Sequence, residues 1–381
     1  MANNNQHTKP NVPPLRFPGF SDEWETYSIN EISNIVKGSG ISKEQLSKEG
    51  EECILYGELY TKYKSEIIDE VFSKTDINST KLTRSQHNDV IIPCSGESAE
   101  DIATARCVTR DGILLGGDLN IIRFNGQNGA FMSYQLNGKR KYDIARVTQG
   151  VSVVHLYPDH LKSVKVSTPS LKEQNRIVKL LSLIDKRIST QNKIIEKLQS
   201  LIKGLRTFIF SGLFESYAKL GEIAKLYQPQ TISTSELQSE GYIVYGANGI
   251  IGHYHSYNHA RPQICITCRG NTCGQVSLTS PFSWITGNAM VVNIENKVEI
   301  NQIYLFHFLK NYNFNSIITG SGQPQIVRTP LERIKVPITN LTEQKRIANT
   351  LDTNNKNLII ECNLKELYVR QKQFLLQKLF I

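Results

Sequence analysis

Between His253 and Cys273 the chain reads HYHSYNHARPQICITCRGNTC, which brings His253, His255, His259, Cys265, Cys268 and Cys273 within 21 residues. Imidazole and thiolate are zinc ligands, so one reading is a self-contained metal-dependent enzyme built on the cluster 253–273. The competing reading puts Cys265 and Cys268 in a strand and at its end. Cys268 falls where Cys94 falls in an earlier, related stretch that has no matching histidine cluster. Other catalytic signatures are missing from the sequence: no G-x-x-x-x-G-K-[ST], no G-x-G-x-x-G opening a helix, no H-E-x-x-H. The NVPP at Asn11 lacks the spacing of the Asn-Pro-Pro-aromatic run that amino-methyltransferases use.

Basic and aromatic residues at turns suggest different chemistry. Lys62, Tyr63, Lys64, Arg84, Arg106, Lys139, Arg140 and Lys141 precede Asn248, His253, Tyr254, Arg269, Asn271, Gln323, Gln325 and Arg328. Lysine and arginine suit phosphates, and arginine and glutamine suit base edges. Each taken singly reads equally well as solvated surface. As a set on two related stretches they favour nucleic acid.

The net charge of +9 is unevenly spread. Residues 171–210 hold nine Lys and Arg against three Asp and Glu, residues 341–381 seven against four, and residues 11–170 only 18 against 21. The surplus lies in segments that also carry strict apolar rhythms. Ile177, Leu181, Ile184, Ile188, Gln191, Ile195, Leu198, Ile202, Leu205 and Ile209 alternate steps of four and three. That is the seam of a coiled-coil helix, roughly 55–60 Å long. A second seam starts at Ile347 and Leu351, then slips to Leu358, Leu364, Leu367, Phe374 and Leu375. A lone helix with one apolar stripe is marginal in water, so the two are expected to pack on each other, parallel or antiparallel.

Both helices open on one phrase, LKEQNRIVKLL at Leu171 and LTEQKRIANTL at Leu341. The repetition extends upstream: LKSVKV matches LERIKV, ILYGELY matches IVYGANG, VIIPCSGES matches ICITCRGNT, and GGDLNIIRF matches TGNAMVVNI. Strands are expected at Val90–Pro93, Leu119–Phe124, Val151–Leu156, Ile264–Thr267 and Met290–Ile294. The fold class is α+β: two related strand-rich modules joined by two long helices packed as a coiled coil, with pseudo-two-fold symmetry. The expected divisions are a flexible leader 1–14, a module 15–168, a helix 169–212, a module 213–338 and a helix 339–381. An ordinary globular composition, 39% hydrophobic, with seven unpatterned cysteines and no membrane-length apolar run, reads as a soluble cytoplasmic protein.

LRFPGFSDEWE at Leu15, together with PSLKEQNRIVKLLSLID and TNLTEQKRIANTLD, resembles the DNA specificity subunits of type I restriction-modification systems, and the resemblance runs from Leu15 onward. It implies a non-catalytic reader with two target recognition domains. Each would bind half of a split DNA sequence, and the helices would act as spacer and as dock for two modification (methyltransferase) subunits, with restriction (translocase/endonuclease) subunits added to that core. S-adenosylmethionine, ATP and Mg would belong to those partners, and this chain would bind no cofactor or metal of its own. Two related modules on one rod would face half-sites about one helical turn, near 34 Å, apart.

Overall fold

The computed structural model describes residues 11–78, 80–150, 153–247, 249–295, 299–320 and 322–381, and these form two compact units, Met1–Asn192 with Leu364–Ile381 and Lys193–Asn363. Within the leader, residues 11–14 are described. Asn11 accepts from Trp24 N–H (2.8 Å) and its amide donates back to the Trp24 carbonyl, so this end is tied down.

In the first unit, Glu25–Ser28 pairs antiparallel with Lys165–Thr168 just before the first long helix, Leu171–Phe210. A five-stranded sheet runs in the order Ser33–Lys37, Leu119–Phe124, Asp89–Pro93, Arg106–Val108, Ile67–Ile68. A smaller sheet contains Glu51–Ile54 with Leu114–Leu115 parallel beside it. The alternation of the first sheet is lost because both faces are covered. Val90, Ile91, Ile92, Ile121 and Ile122 are all buried, one face against helix Gly129–Asn137 and the long helix, the other against the second sheet.

The second unit repeats this plan. Ser216–Lys219 pairs with Lys335–Ile338 before the second long helix, Leu341–Lys378. Its main sheet runs Lys225–Tyr227, Ala289–Asn293, Ile264–Thr267, Val276–Leu278, and Trp284–Ile285 lies parallel to Tyr242–Gly246. Helix Gln302–Asn311 takes the place of Gly129–Asn137. The expected strands appear within one residue of their bounds except Val151–Leu156: only Val154–His155 is a strand there, and Val151 lies outside the described residues.

The helices are antiparallel where each unit holds them. Asp185 and Arg187 of the first meet Lys372 and Tyr368 of the second in one unit, and Arg206 meets Asn355 in the other. Ile177, Leu181 and Ile184 join Trp24, Phe131, Leu375, Leu379 and Phe380 in a single core, with Ile188 against it. Ile195 is buried, Leu198 and Leu358 half-buried, and Ile347 and Leu351 complete the core of the second unit. The expected slip in the second seam does not occur. Leu367 and Phe374 are exposed, and the inward row continues in step as Asn354, Leu358, Glu361, Lys365, Tyr368, Lys372, Leu375 and Leu379. Polar side chains occupy its middle, so an apolar pattern could not follow it.

The shared Gln of the helical phrase explains the repetition. Gln174 is buried. Its amide donates to the Pro169 carbonyl (2.9 Å) and to Gln127 Oε1 (2.7 Å), and its Oε1 accepts from Asn128 N–H (3.0 Å). Gln344 donates to the Thr339 and Glu299 carbonyls (2.8 and 3.1 Å) and accepts from Asn301 N–H (2.8 Å). Asn128 and Asn301 in turn cap the packing helices. The neighbouring glutamates differ: Glu173 is buried against Arg16, whereas Glu343 pairs with Arg346 on the surface.

A cation from the other long helix closes each unit. Lys372 reaches Asp185 (2.6 Å) and Glu66, and Tyr134 donates to the same Asp185 (2.7 Å). Burial works against the Lys372 charge, but the two carboxylates overcome it and hold its pKa above the usual value. In the second unit Arg206 donates to His307 Nδ1 (3.2 Å) and Asn355 Oδ1 (3.1 Å). Among the described residues no carboxylate pairs with it directly. Burial first, and then Arg206, pushes His307 down to about 4.

Replacing Gln174 or Gln344 by Ala should cost about 2–3 kcal/mol, since buried amide and carbonyl groups lose their partners. Hydrogen exchange should localise each loss to its own unit. Acid should loosen the second unit selectively. Its native state keeps His307 neutral while the unfolded chain takes a proton near pH 6.5, so stability is full above that pH and falls as pH drops toward 4. About 3 kcal/mol is at stake by linkage, and H307Q should flatten the pH dependence of exchange in Gln302–Asn311.

Candidate nucleic-acid interface

Strand Ile264–Thr267 leads into Cys268 and Arg269, and Pro324–Val327 returns beside it. Gly270 N–H donates to the Pro324 carbonyl (3.0 Å), Ile326 N–H to the Cys268 carbonyl (2.9 Å), and Gln325 exchanges two bonds with Thr319 (2.8 and 2.9 Å). Arg269 and Gln325 therefore stand opposite each other as a bridge, where side chains share a face. With Arg328, Gln228 and Tyr227 they line a cavity of about 450 Å³ floored by Met290 and Ile326. Arg328 is held by Glu332 (3.0 Å), and Gln228 donates to the Gly287 carbonyl (2.8 Å). A guanidinium and a carboxamide presented together over an apolar floor can grip phosphate oxygens or base edges.

The first unit builds the same backbone frame. His155 pairs with Ser95, Leu156 N–H donates to the Cys94 carbonyl (2.8 Å), and Gln149 and His155 exchange two bonds (3.0 and 2.7 Å). Ser95 thus stands for Arg269 and His155 for Gln325. The side chains are unlike: His155 stacks on exposed Tyr157 (6.0 Å, 22°), His160 meets that ring edge-on (5.3 Å), and Lys37 Nζ lies 5.9 Å from its centroid. None of Lys37, His155, Tyr157 and His160 was expected. Extending the match of LKSVKV with LERIKV six residues upstream aligns His155 with Gln325.

The other anticipated residues scatter. In the first unit Lys64 and Arg106 line a cavity of about 790 Å³ with Tyr56, Tyr60, Ser95 and Asp101. Arg106 is turned inward onto the Tyr63 and Ala105 carbonyls, and burial lowers its pKa. The Tyr63 ring is core, not surface. Lys62 is bound to Glu58 (2.7 Å), Arg84 to Glu51 (2.6 Å) and Arg140 to Asp143 (3.3 Å); Lys139 is exposed and Lys141 half-buried beside them. In the second unit Asn271 and Gln323 are exposed on turns flanking the Arg269 bridge, and His253 and Tyr254 belong to strand Gly249–Tyr254. Asn248 lies outside the described residues.

The His/Cys cluster does not converge. Cys265 and Cys268 are buried in a strand and its end, where burial raises their thiols to about 12 and about 11. His259 Nε2 shares a hydrogen bond with the Tyr227 hydroxyl (2.8 Å), and His255 packs on Tyr254. Among the described residues no three His, Cys, Asp or Glu side chains are placed to hold a metal ion, so the metal-enzyme reading has no support.

The pattern of the family Type I restriction modification DNA specificity domain matches residues 21–200 and 215–367. A Methanocaldococcus jannaschii relative, the type I restriction enzyme MjaVIII specificity subunit, is 25% identical over 94% of this chain and 92% of its own. The EcoprrI specificity subunit of Escherichia coli is 31% identical over 35% of this chain and 34% of its own. Among solved structures, the type I restriction-modification S subunit from M. genitalium superposes with a TM-score of 0.71 at 18% identity, covering 97% of this chain and 99% of that one, which supports the shared fold. With the family pattern matched twice across most of its length, the chain belongs to the type I restriction modification DNA specificity family.

Proposed function

We propose that this specificity subunit reads a bipartite duplex target, one half through the Arg269–Gln325 surface and the other through the Lys37–His155–Tyr157 surface. The observation that carries the reading is one backbone frame occurring twice with different side chains mounted on it. Arginine pairs bidentately with guanine and glutamine with adenine, whereas an imidazole–phenol stack beside a lysine suits different edges. The long helices act as the spacer, which their continuity favours: Leu171–Phe210 and Leu341–Lys378 each contribute residues to both units.

The helices also dock two modification subunits. Ile194, Leu201 and Phe208 are exposed at seven-residue intervals, Phe208 at 79%, a row suited to a partner helix. Those partners supply S-adenosylmethionine and the adenine methylation, and restriction subunits supply ATP- and Mg-dependent translocation and cleavage in the cytoplasm.

Co-expression with a modification subunit, followed by genome-wide mapping of adenine methylation, should yield a bipartite motif; no new methylation would overturn the reading. R269A with Q325A should relax one half of that motif by about 1–3 kcal/mol per lost base contact and leave the other half intact. A four-residue insertion near Gln191 should alter the spacer and leave both halves unchanged. An unaltered spacer would remove the helices from that role.

A further inference from the structure

Phe282 has φ +52°, in the left-handed region that bulky side chains avoid, and it is 52% exposed. The first unit shows what this position otherwise requires. His259 N–H donates to the Ser283 carbonyl (3.1 Å) as Ser85 N–H donates to that of Ile113 (2.8 Å), and the strands that follow, Trp284–Ile285 and Leu114–Leu115, pair alike in parallel. The residue before Ile113 is Gly112, with φ +83°. A Cβ on Gly112 would meet nothing within 4 Å, so the backbone angle, not space, favours glycine there. The second unit carries the strain of an exposed phenylalanine at the same turn.

The ring does not bury itself in return. Phe282 meets Tyr257 edge-to-face (5.2 Å, 82°), and Tyr257 meets Tyr242 in the same way (5.0 Å, 71°), with both tyrosines exposed. Pro281 stiffens the turn from the preceding side. The ladder is continuous with the Arg269 cavity: Tyr227 on the cavity wall bonds His259, His259 bridges Ser283, and Phe282 is next in the chain. Phe282 N–H also donates to the Ala260 carbonyl (3.3 Å), which sets exposed Arg261 beside the turn. A strained, braced, outward-facing ring on a turn beside a cation, and bonded through His259 to the wall of the Arg269 cavity, has the chemistry of a side chain that enters a base stack.

We propose that Phe282, braced by Tyr257 and Tyr242, is an aromatic wedge that the second unit inserts between base pairs of its half-site, unstacking one step. The inference rests on the DNA-reading function above and adds that this half-site is bent or opened as it is read. It assigns the first unit, with Gly112 in that position, no such step.

The test uses the chain in complex with its modification subunits and duplexes carrying 2-aminopurine at successive steps of the mapped half-site. Wild type should raise fluorescence at one step. F282G should abolish that rise and weaken binding about tenfold, the scale of one base–aromatic stack, while its melting temperature holds or increases because glycine relieves the backbone. F282A should lose the same signal without that gain in stability. Unchanged affinity and fluorescence in F282G, with wild type binding normally, would overturn the wedge alone. Loss of the modification subunits from the F282G complex would also overturn it, marking the rings as a protein contact. Wild type that binds no duplex would overturn both the wedge and the reading function.

Discussion

A half-buried cation borrowed from the opposite long helix ties each unit together. Lys372 enters the first unit and Arg206 the second, and each meets a residue of the unit's own long helix (Asp185 or Asn355) and one of its packing helix (Tyr134 or His307). An ammonium or guanidinium in a poorly solvated position is tolerated only where partners replace its water. The geometry of both helices around each module is therefore set by a polar requirement, with apolar packing filling in around it. The first unit meets that requirement with two carboxylates. The second meets it with a neutral imidazole and an amide, which is why its histidine must remain uncharged.

The repeated phrase at the helix starts follows from a second constraint of the same kind. Where the chain turns from a strand into a long helix, carbonyls at residues 169 and 339 and N–H groups at 128 and 301 are left in a dry corner. One glutamine carboxamide, donor and acceptor at once, satisfies both sides of that corner. No other side chain of that length offers both functions, so both copies keep Gln while the neighbouring Glu is free to serve different ends.

What could be read from the residues alone follows from the same division. Strands with apolar runs and the first helix seam were legible because burial is written in residue type. The second seam was misread between Leu358 and Leu375, since Glu361, Lys365, Tyr368 and Lys372 lie on the inward row and look like surface. The loop cations were legible as cations but not as partners. Arg84 and Arg106 are occupied by groups distant in sequence and Arg140 by Asp143 one helical turn on, and a chain cannot announce which of its charges are already paired. The Lys37–His155–Tyr157 surface was missed for a different reason: its residues are unremarkable singly and acquire meaning only from the frame that gives His155 the place Gln325 takes in the second unit.

That frame explains how two modules can diverge in what they touch and still fold alike. The bonds that position residues 95 and 155, or 269 and 325, are made by backbone groups, so they are indifferent to the side chains mounted there. Exposed side chains at such positions carry little of the folding free energy. Exchanging Ser for Arg or His for Gln changes what the surface can recognise at almost no cost to the core beneath it. The turn at Gly112 and Phe282 marks the limit of that freedom. There the side chain changes the backbone energy as well, so a bulky residue persists only where something outside the folding balance favours it.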